Sequence, residues 1–176
     1  MNSPVKLVIS GPVGAGKTTF IQTLSDSPVV STDEEASEDI GKAMTTVALD
    51  FGTLNVEDYP IYLFGTPGQE RFDFMWEVLC EGAYGLILLI AGDRPRDFPQ
   101  ARRILEFITT QTPIPFLIAV TRQDMEQVWT PEEVSEYFGV DPSLACGLDA
   151  RDQQSAYETL FRMFELINAS ASEQVA

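Results

Sequence analysis

Short, dense apolar runs alternate with longer segments whose apolar positions recur at helical spacing, and this alternation organises the chain. Leu86 to Ile90 and Phe116 to Val120 contain no polar residue, as expected of strands covered on both faces in a parallel sheet. Val5 to Ile9, rich in β-branched residues, is a third strand candidate, and it runs into a glycine-rich turn and then the helix-compatible Thr19 to Leu24. Thr46 to Phe51 and Tyr59 to Phe64 are two more, separated by polar turn residues around Asn55 to Asp58, and read as a hairpin. Between the first helix and this hairpin, Ser25 to Met44 carries Asp26, Asp33, Glu34, Glu35, Glu38 and Asp39 with little apolar periodicity, which predicts a long, mobile, solvated connection. After Asp97, residues Ala101, Ile104, Leu105 and Ile108 share one helical face and Arg102 and Arg103 another, predicting a helix laid over the sheet. Thr130-Pro131-Glu132-Glu133 is a capping box with proline at the first helical position, so a short helix runs from there toward Phe138 and stops at Gly139. A last amphipathic helix carries Leu160, Phe164 and Ile167 with Tyr157 and Phe161 alongside, followed by a small, polar tail from Asn168.

The length of 176 residues suits one domain with a proper core, so a single domain over 1–176 is expected, its core at about 5–168. Eleven basic residues against twenty-seven acidic ones give a formal net charge of −16, an unfavourable balance for holding a nucleic-acid backbone or an anionic membrane. The chain has no histidine, which excludes histidine-based nucleophile triads and zinc sites of the usual kind. Cys80 and Cys146 stand next to apolar sequence and read as two buried thiols. The chain lacks a basic, apolar leader, a run of transmembrane length, a glycine after Met1 and a prenylatable cysteine near its end, so a cytoplasmic protein without its own membrane anchor is expected.

Chemistry concentrates at Gly11-Pro12-Val13-Gly14-Ala15-Gly16-Lys17-Thr18, a complete match to the phosphate-binding loop pattern between a strand and a helix. Its glycines let successive amides turn inward, and the helix that follows adds its N-terminal dipole to the same anion cavity. Gly11, Val13, Gly14, Ala15, Gly16, Lys17, Thr18 and Thr19 are the nucleotide-binding candidates here; Lys17 reaches for the β- and γ-phosphates, and the Thr18 hydroxyl is placed to hold a magnesium ion. In a chain this acidic, bound phosphates must be neutralised locally, by backbone dipoles, a lysine and a divalent cation.

Further motifs resemble those of Ras-like small GTPases over about residues 5–168. Leu63-Phe64-Gly65-Thr66-Pro67-Gly68-Gln69-Glu70-Arg71-Phe72 is similar to the family's third motif, and the resemblance implies that the Gly68 amide contacts the γ-phosphate and Gln69 positions the attacking water. The proline before Gly68 is similar to the bacterial gliding-motility (Mgl-type) branch. Gly65 stands where most of the family has an aspartate that holds magnesium through water, a departure that weakens the expected surroundings of the metal and implies slow intrinsic hydrolysis. Thr46-Val47-Ala48-Leu49-Asp50-Phe51 resembles the second motif, which makes Thr46, with Thr45 as the near alternative, the expected partner of magnesium and γ-phosphate. Thr121-Arg122-Gln123-Asp124 resembles the base-specificity motif, differing at two positions; Asp124 would accept two hydrogen bonds from guanine, and Arg122 would pack along the base. Ala150 is the candidate backbone contact of a weak fifth motif.

The resemblance implies a P-loop NTPase fold of the Ras-like kind: α/β, with a six-stranded, mostly parallel sheet, one antiparallel strand and helices on both faces. It implies a switch that binds GTP and GDP with Mg2+ and hydrolyses GTP using Gln69 and Lys17, with Thr18 and Thr46 on the metal. A regulatory protein that accelerates hydrolysis, of roadblock type in the bacterial branch, and an effector are the implied partners, with Phe72-Asp73-Phe74-Met75-Trp76 either a partner surface or core. Two alternatives remain open. One is a nucleotide-holding scaffold without turnover, motivated by Gly65, Thr121 and Arg122. The other is a small P-loop kinase, which an arginine-rich lid would have indicated and which is absent from the sequence.

Overall fold

The computed structural model describes residues 3–31, 50–66 and 78–175. Strands β1 (Val5–Ser10), β2 (Val30–Ser31), β3 (Asp50–Val56), β4 (Tyr59–Gly65), β5 (Gly85–Ala91), β6 (Phe116–Thr121) and β7 (Ala145–Gly147) form one sheet in the order β2-β3-β4-β1-β5-β6-β7. β4, β1, β5, β6 and β7 run parallel, and β3 opposes both of its neighbours. Six of these are the expected mostly parallel sheet with its one antiparallel strand; the two-residue β2 is an added edge. The helices are α1 (Lys17–Leu24), α2 (Phe98–Gln111), α3 (Pro131–Phe138) and α4 (Gln153–Val175).

The period of two along each buried strand explains why helices cover both faces. Leu7, Ile9, Ile87, Leu89, Leu117 and Ala119 point to one side, where Phe20, Ile21 and Leu24 of α1 and Ala156, Leu160 and Met163 of α4 seal them. The alternate residues Val8, Leu86, Leu88, Ile90, Ile118 and Val120 meet Phe98, Ala101, Ile104 and Ile108 of α2 and Val134 of α3 on the other. β5 has every residue buried, which is why its sequence shows no alternation. The capping box of α3 forms as expected: the Glu133 amide donates to Thr130 Oγ1 at 3.2 Å, the Thr130 amide donates to Glu133 Oε1 at 3.1 Å, and Gly139 ends the helix at φ 67°.

Several sequence expectations are corrected. The acidic connection does not begin free: Ser25 Oγ accepts from the Thr53 amide at 3.2 Å, the Asp26 carboxylate accepts from the Asn55 amide at 2.8 Å, and Val30 pairs with Phe51. The hairpin's first strand ends at Val56, later than the expected Phe51, because the tight turn is Glu57 and Asp58 alone, with Glu57 in the left-handed region at φ 57°; its expected start at Thr46 lies outside the described residues. The chain from Asn168 continues α4 to Val175 instead of leaving as a tail. Cys80 is buried, but Cys146 only partly so. Among the described residues no helix is long and apolar enough to cross a membrane.

Helix α1 lies close on the β3–β4 hairpin because two glycines face it. A Cβ at Gly52 would meet Ile21 Cγ2 at 2.6 Å and Ser25 Cβ at 3.2 Å. Gly52→Ala should therefore destabilise the protein by about 1–3 kcal/mol through overpacking, read as a lowered denaturant midpoint; an unchanged midpoint would contradict this contact.

Candidate functional site

β1 and β5 are hydrogen-bonding neighbours, so the chain leaving β1 must turn hard against β5. Gly11 does so at φ 144°, where a Cβ would lie 2.1 Å from the Leu89 carbonyl oxygen, a position closed to any other residue. Gly14 and Gly16 follow at φ 82° and 105°, and α1 begins at Lys17. The result is a strand, a curled loop and a helix N-terminus, the geometry that gathers amides around an anion.

Lys17 folds back over its own loop. Its Nζ donates to the Gly11 carbonyl at 2.5 Å and the Pro12 carbonyl at 2.9 Å. Burial lowers its pKa to about 8, while the Asp50 carboxylate acts in the opposite direction. Next to it, the Thr18 hydroxyl donates to Asp50 Oδ2. Hydroxyl and carboxylate oxygens are the hard donors that magnesium takes, so the pair fits that ion, and Thr18 is the residue that would hold it.

The base-side motif closes against the same loop. Thr121, buried at the end of β6, donates through Oγ1 to the Ala15 carbonyl at 3.1 Å and the Ile90 carbonyl at 3.3 Å, tying β6, β5 and the loop together. Arg122, left-handed at φ 64°, reaches back so that Nη2 donates to the Gly14 carbonyl at 3.3 Å. Its Nη1 lies 3.5 Å from Asp93 Oδ2. Asp124 and Arg151, both largely exposed, face each other at 3.5 Å, while Arg151 also pairs with Asp149 at 3.2 Å. Asp149 has its pKa lowered, chiefly by the Arg151 amide it accepts from.

One cleft of about 270 Å³ is bounded by Gly14, Ala15, Gly16 and Thr19 on the loop side and by Thr121, Arg122, Asp124 and Ala150 on the other, with Lys17, Thr18 and Asp50 outside its lining. Ala150 closes on α1, its carbonyl accepting from Thr23 Oγ1 at 2.6 Å. The structure thus brings together the expected residues of the loop, the base motif and the fifth motif. Val13 does not line the cleft and is 59% exposed. Thr46, Gly68 and Gln69, with Thr45 and the Phe72–Trp76 cluster, lie outside the described residues. Thr66, the described part of the third motif, is buried and donates to Ser10 Oγ at 2.6 Å, which anchors that motif to the end of β1.

Two residues at the site were not singled out from sequence. Asp50 was inside the second-motif segment but carried no role. Arg94, just beyond β5, holds its guanidinium over Gly14, where a Cβ would stand 2.7 Å from Nη1. Arg94 Nε and Asp93 Oδ1 are buried without a hydrogen-bond partner among the described residues, the Nε lying 3.2 Å from Asp97 Oδ2 in poor alignment. No pattern along the chain marks Arg94, which stands past the end of β5 and meets the loop only through packing.

Residues 9–174 match the family described as conserved hypothetical ATP-binding proteins, and the chain belongs to that family. It is 32% identical over 133 residues to an uncharacterized protein of Methanocaldococcus jannaschii, covering 73% of this chain and 76% of that one. It is 24% identical over 135 residues to ADP-ribosylation factor-related protein 1 of Homo sapiens, covering 75% of this chain and 66% of the human protein, and 23% identical over 149 residues to its Rattus norvegicus counterpart, at 83% and 71%. These similarities support nucleotide binding by a P-loop protein related to small GTPases.

The lowered Lys17 pKa gives phosphate binding a pH signature. A bound polyphosphate favours the charged amine and raises its pKa above the free value of about 8. Binding therefore takes up a proton above that pH and none below it. Nucleotide affinity should be level from about pH 7, above the terminal phosphate's own titration, to about pH 8 and fall above that, by up to about tenfold per pH unit, in fluorescent-nucleotide titrations. Lys17→Met should bind weakly with no such break, and a wild-type affinity that rises above pH 8 would contradict the assignment.

Proposed function

We propose that this family member is a guanine-nucleotide switch: it binds GTP and GDP with Mg2+ and hydrolyses GTP slowly unless a partner assists. The observation that carries this reading is the continuous cleft from the phosphate loop to Asp124. Phosphates would lie on the loop amides and Lys17, displacing the Gly11 and Pro12 carbonyls from the amine. At the far end, the Asp124 carboxylate accepts from guanine N1–H and the exocyclic amine, an arrangement that adenine cannot match because its N1 is an acceptor. Arg122, already stretched along the cleft to Gly14, lays its stem beside the base.

Magnesium, held by Thr18 and Thr46, would neutralise charge on the β- and γ-phosphate oxygens. Gln69 orients the attacking water and the Gly68 amide contacts the γ-phosphate in this reading, which rests for both on the third-motif resemblance. The same motif, with proline before glycine, supports kinship with the gliding-motility branch, and with it a regulator and an effector that respond to the bound state. The two base-motif departures that motivated a scaffold are compatible with binding, since Thr121 and Arg122 both engage the phosphate loop.

The family's description favours a second reading, in which the ligand is ATP. The two readings separate on the purified protein: chromatography of the nucleotide released on denaturation, followed by phosphate release from GTP and ATP. Guanine nucleotide, with GTP turnover that Gln69→Ala lowers by about 100-fold or more, is expected from loss of a water-positioning group. Asp124→Asn should also cut GTP affinity by about 10- to 100-fold, as one accepting position becomes a donor. Adenine nucleotide with ATP turnover would overturn the guanine assignment, and bound guanine nucleotide without turnover would return the scaffold.

A further inference from the structure

Asp50 sits where this site's most conspicuous sequence departure would otherwise leave a gap. β3 runs antiparallel to β4 in a register that sets Asp50 directly opposite Gly65. Opposed residues in an antiparallel pair project their side chains to the same face of the sheet. A Cβ built on Gly65 would lie 3.3 Å from Asp50 Cβ and 2.9 Å from Ile21 Cδ1. The space in which a side chain at 65 would begin is therefore already bounded by Asp50 on one side and α1 on the other.

From that position Asp50 faces the phosphate loop. Its Oδ2 accepts a hydrogen bond from the Thr18 hydroxyl, and its negative charge favours the charged form of the Lys17 amine. A threonine hydroxyl has lone pairs to give to a cation and one proton to give away. With that proton committed to Asp50, the Thr18 oxygen is oriented with its lone pairs toward the phosphate side.

We propose that Asp50 replaces, from the neighbouring strand, the magnesium-orienting carboxylate that Gly65 lacks. This inference rests on the magnesium-nucleotide reading above. Asp50 is a positioning residue: it holds the Thr18 hydroxyl as a ligand, accepts hydrogen bonds from water in the ion's hydration shell, and adds negative charge that favours the cation. Gly65 and Asp50 are then two halves of one solution, because the absent side chain at 65 leaves room for the carboxylate at 50.

The test is release of preloaded fluorescent GDP across a magnesium titration, for wild type, Asp50→Asn, Asp50→Ala and Asp50→Ala/Gly65→Asp. Asparagine keeps an oxygen to accept from Thr18 but loses the charge, so it separates a magnesium role from a merely structural hydrogen bond. Thermal melts without magnesium or nucleotide identify variants that fail to fold. Asp50→Asn should need about 10- to 100-fold more magnesium to slow release. The double variant, which returns a carboxylate to the adjacent strand, should recover part of the lost magnesium sensitivity. Wild-type release that responds to magnesium, with Asp50→Asn responding at the same concentration, would overturn the role of Asp50 alone. Wild-type release indifferent to magnesium would overturn the magnesium-nucleotide reading and this inference with it.

Discussion

The turn of Gly11 against the Leu89 carbonyl, which leaves no room for a Cβ, is the constraint from which the rest of the site follows. β1 and β5 lie side by side with both faces buried, so the chain leaving β1 has no lateral room and must curl over the end of β5. Only a residue without Cβ makes that turn. The curl aims Lys17 back across the loop, starts α1 directly beneath it, and places Ala15 where Thr121 at the end of β6 can bind its carbonyl. Hydrophobic layering of the central strands thereby becomes the placement of polar atoms at their carboxyl ends, where ligands of open α/β sheets lie.

Charge is handled locally in a chain whose net charge is −16. The amine of Lys17 is desolvated and occupied by two loop carbonyls, Arg122 is stretched to Gly14, and Arg94 lies over the same glycine. Three cationic groups therefore converge on the glycine-rich loop within an otherwise repulsive field. Opposite them, Asp50 stands at Thr18, so the site already carries both a cationic cradle for phosphate and an anionic corner suited to a cation.

Elements whose signal is local were legible in the sequence. The runs of β5 and β6, the phosphate loop, the capping box of α3 and the apolar face of α2 each carry their own pattern. β2 and β7, of two and three residues, are too short to show a period, and exist because a neighbouring strand offers hydrogen bonds. The extension of α4 past Asn168 was hidden by small and polar residues, which a helix tolerates on an exposed face. Among site residues, the loop and the base motif announced themselves by spacing. Asp50 did not, because its role depends on a strand register that joins it to Gly65, a relation between residues that adjacency along the chain does not display. Arg94 was hidden likewise, since only packing of the β5 end against Gly14 brings its guanidinium to the loop.

The most direct test of the central claim is a crystal structure of the protein with magnesium and a non-hydrolysable GTP analogue. The account predicts phosphates on the amides of Gly14 to Thr18 with Lys17 turned from its carbonyls onto them, and guanine against Arg122 with its N1 and amine on Asp124. Phosphates bound elsewhere, or a base that leaves Asp124 paired with Arg151 and uncontacted, would contradict it.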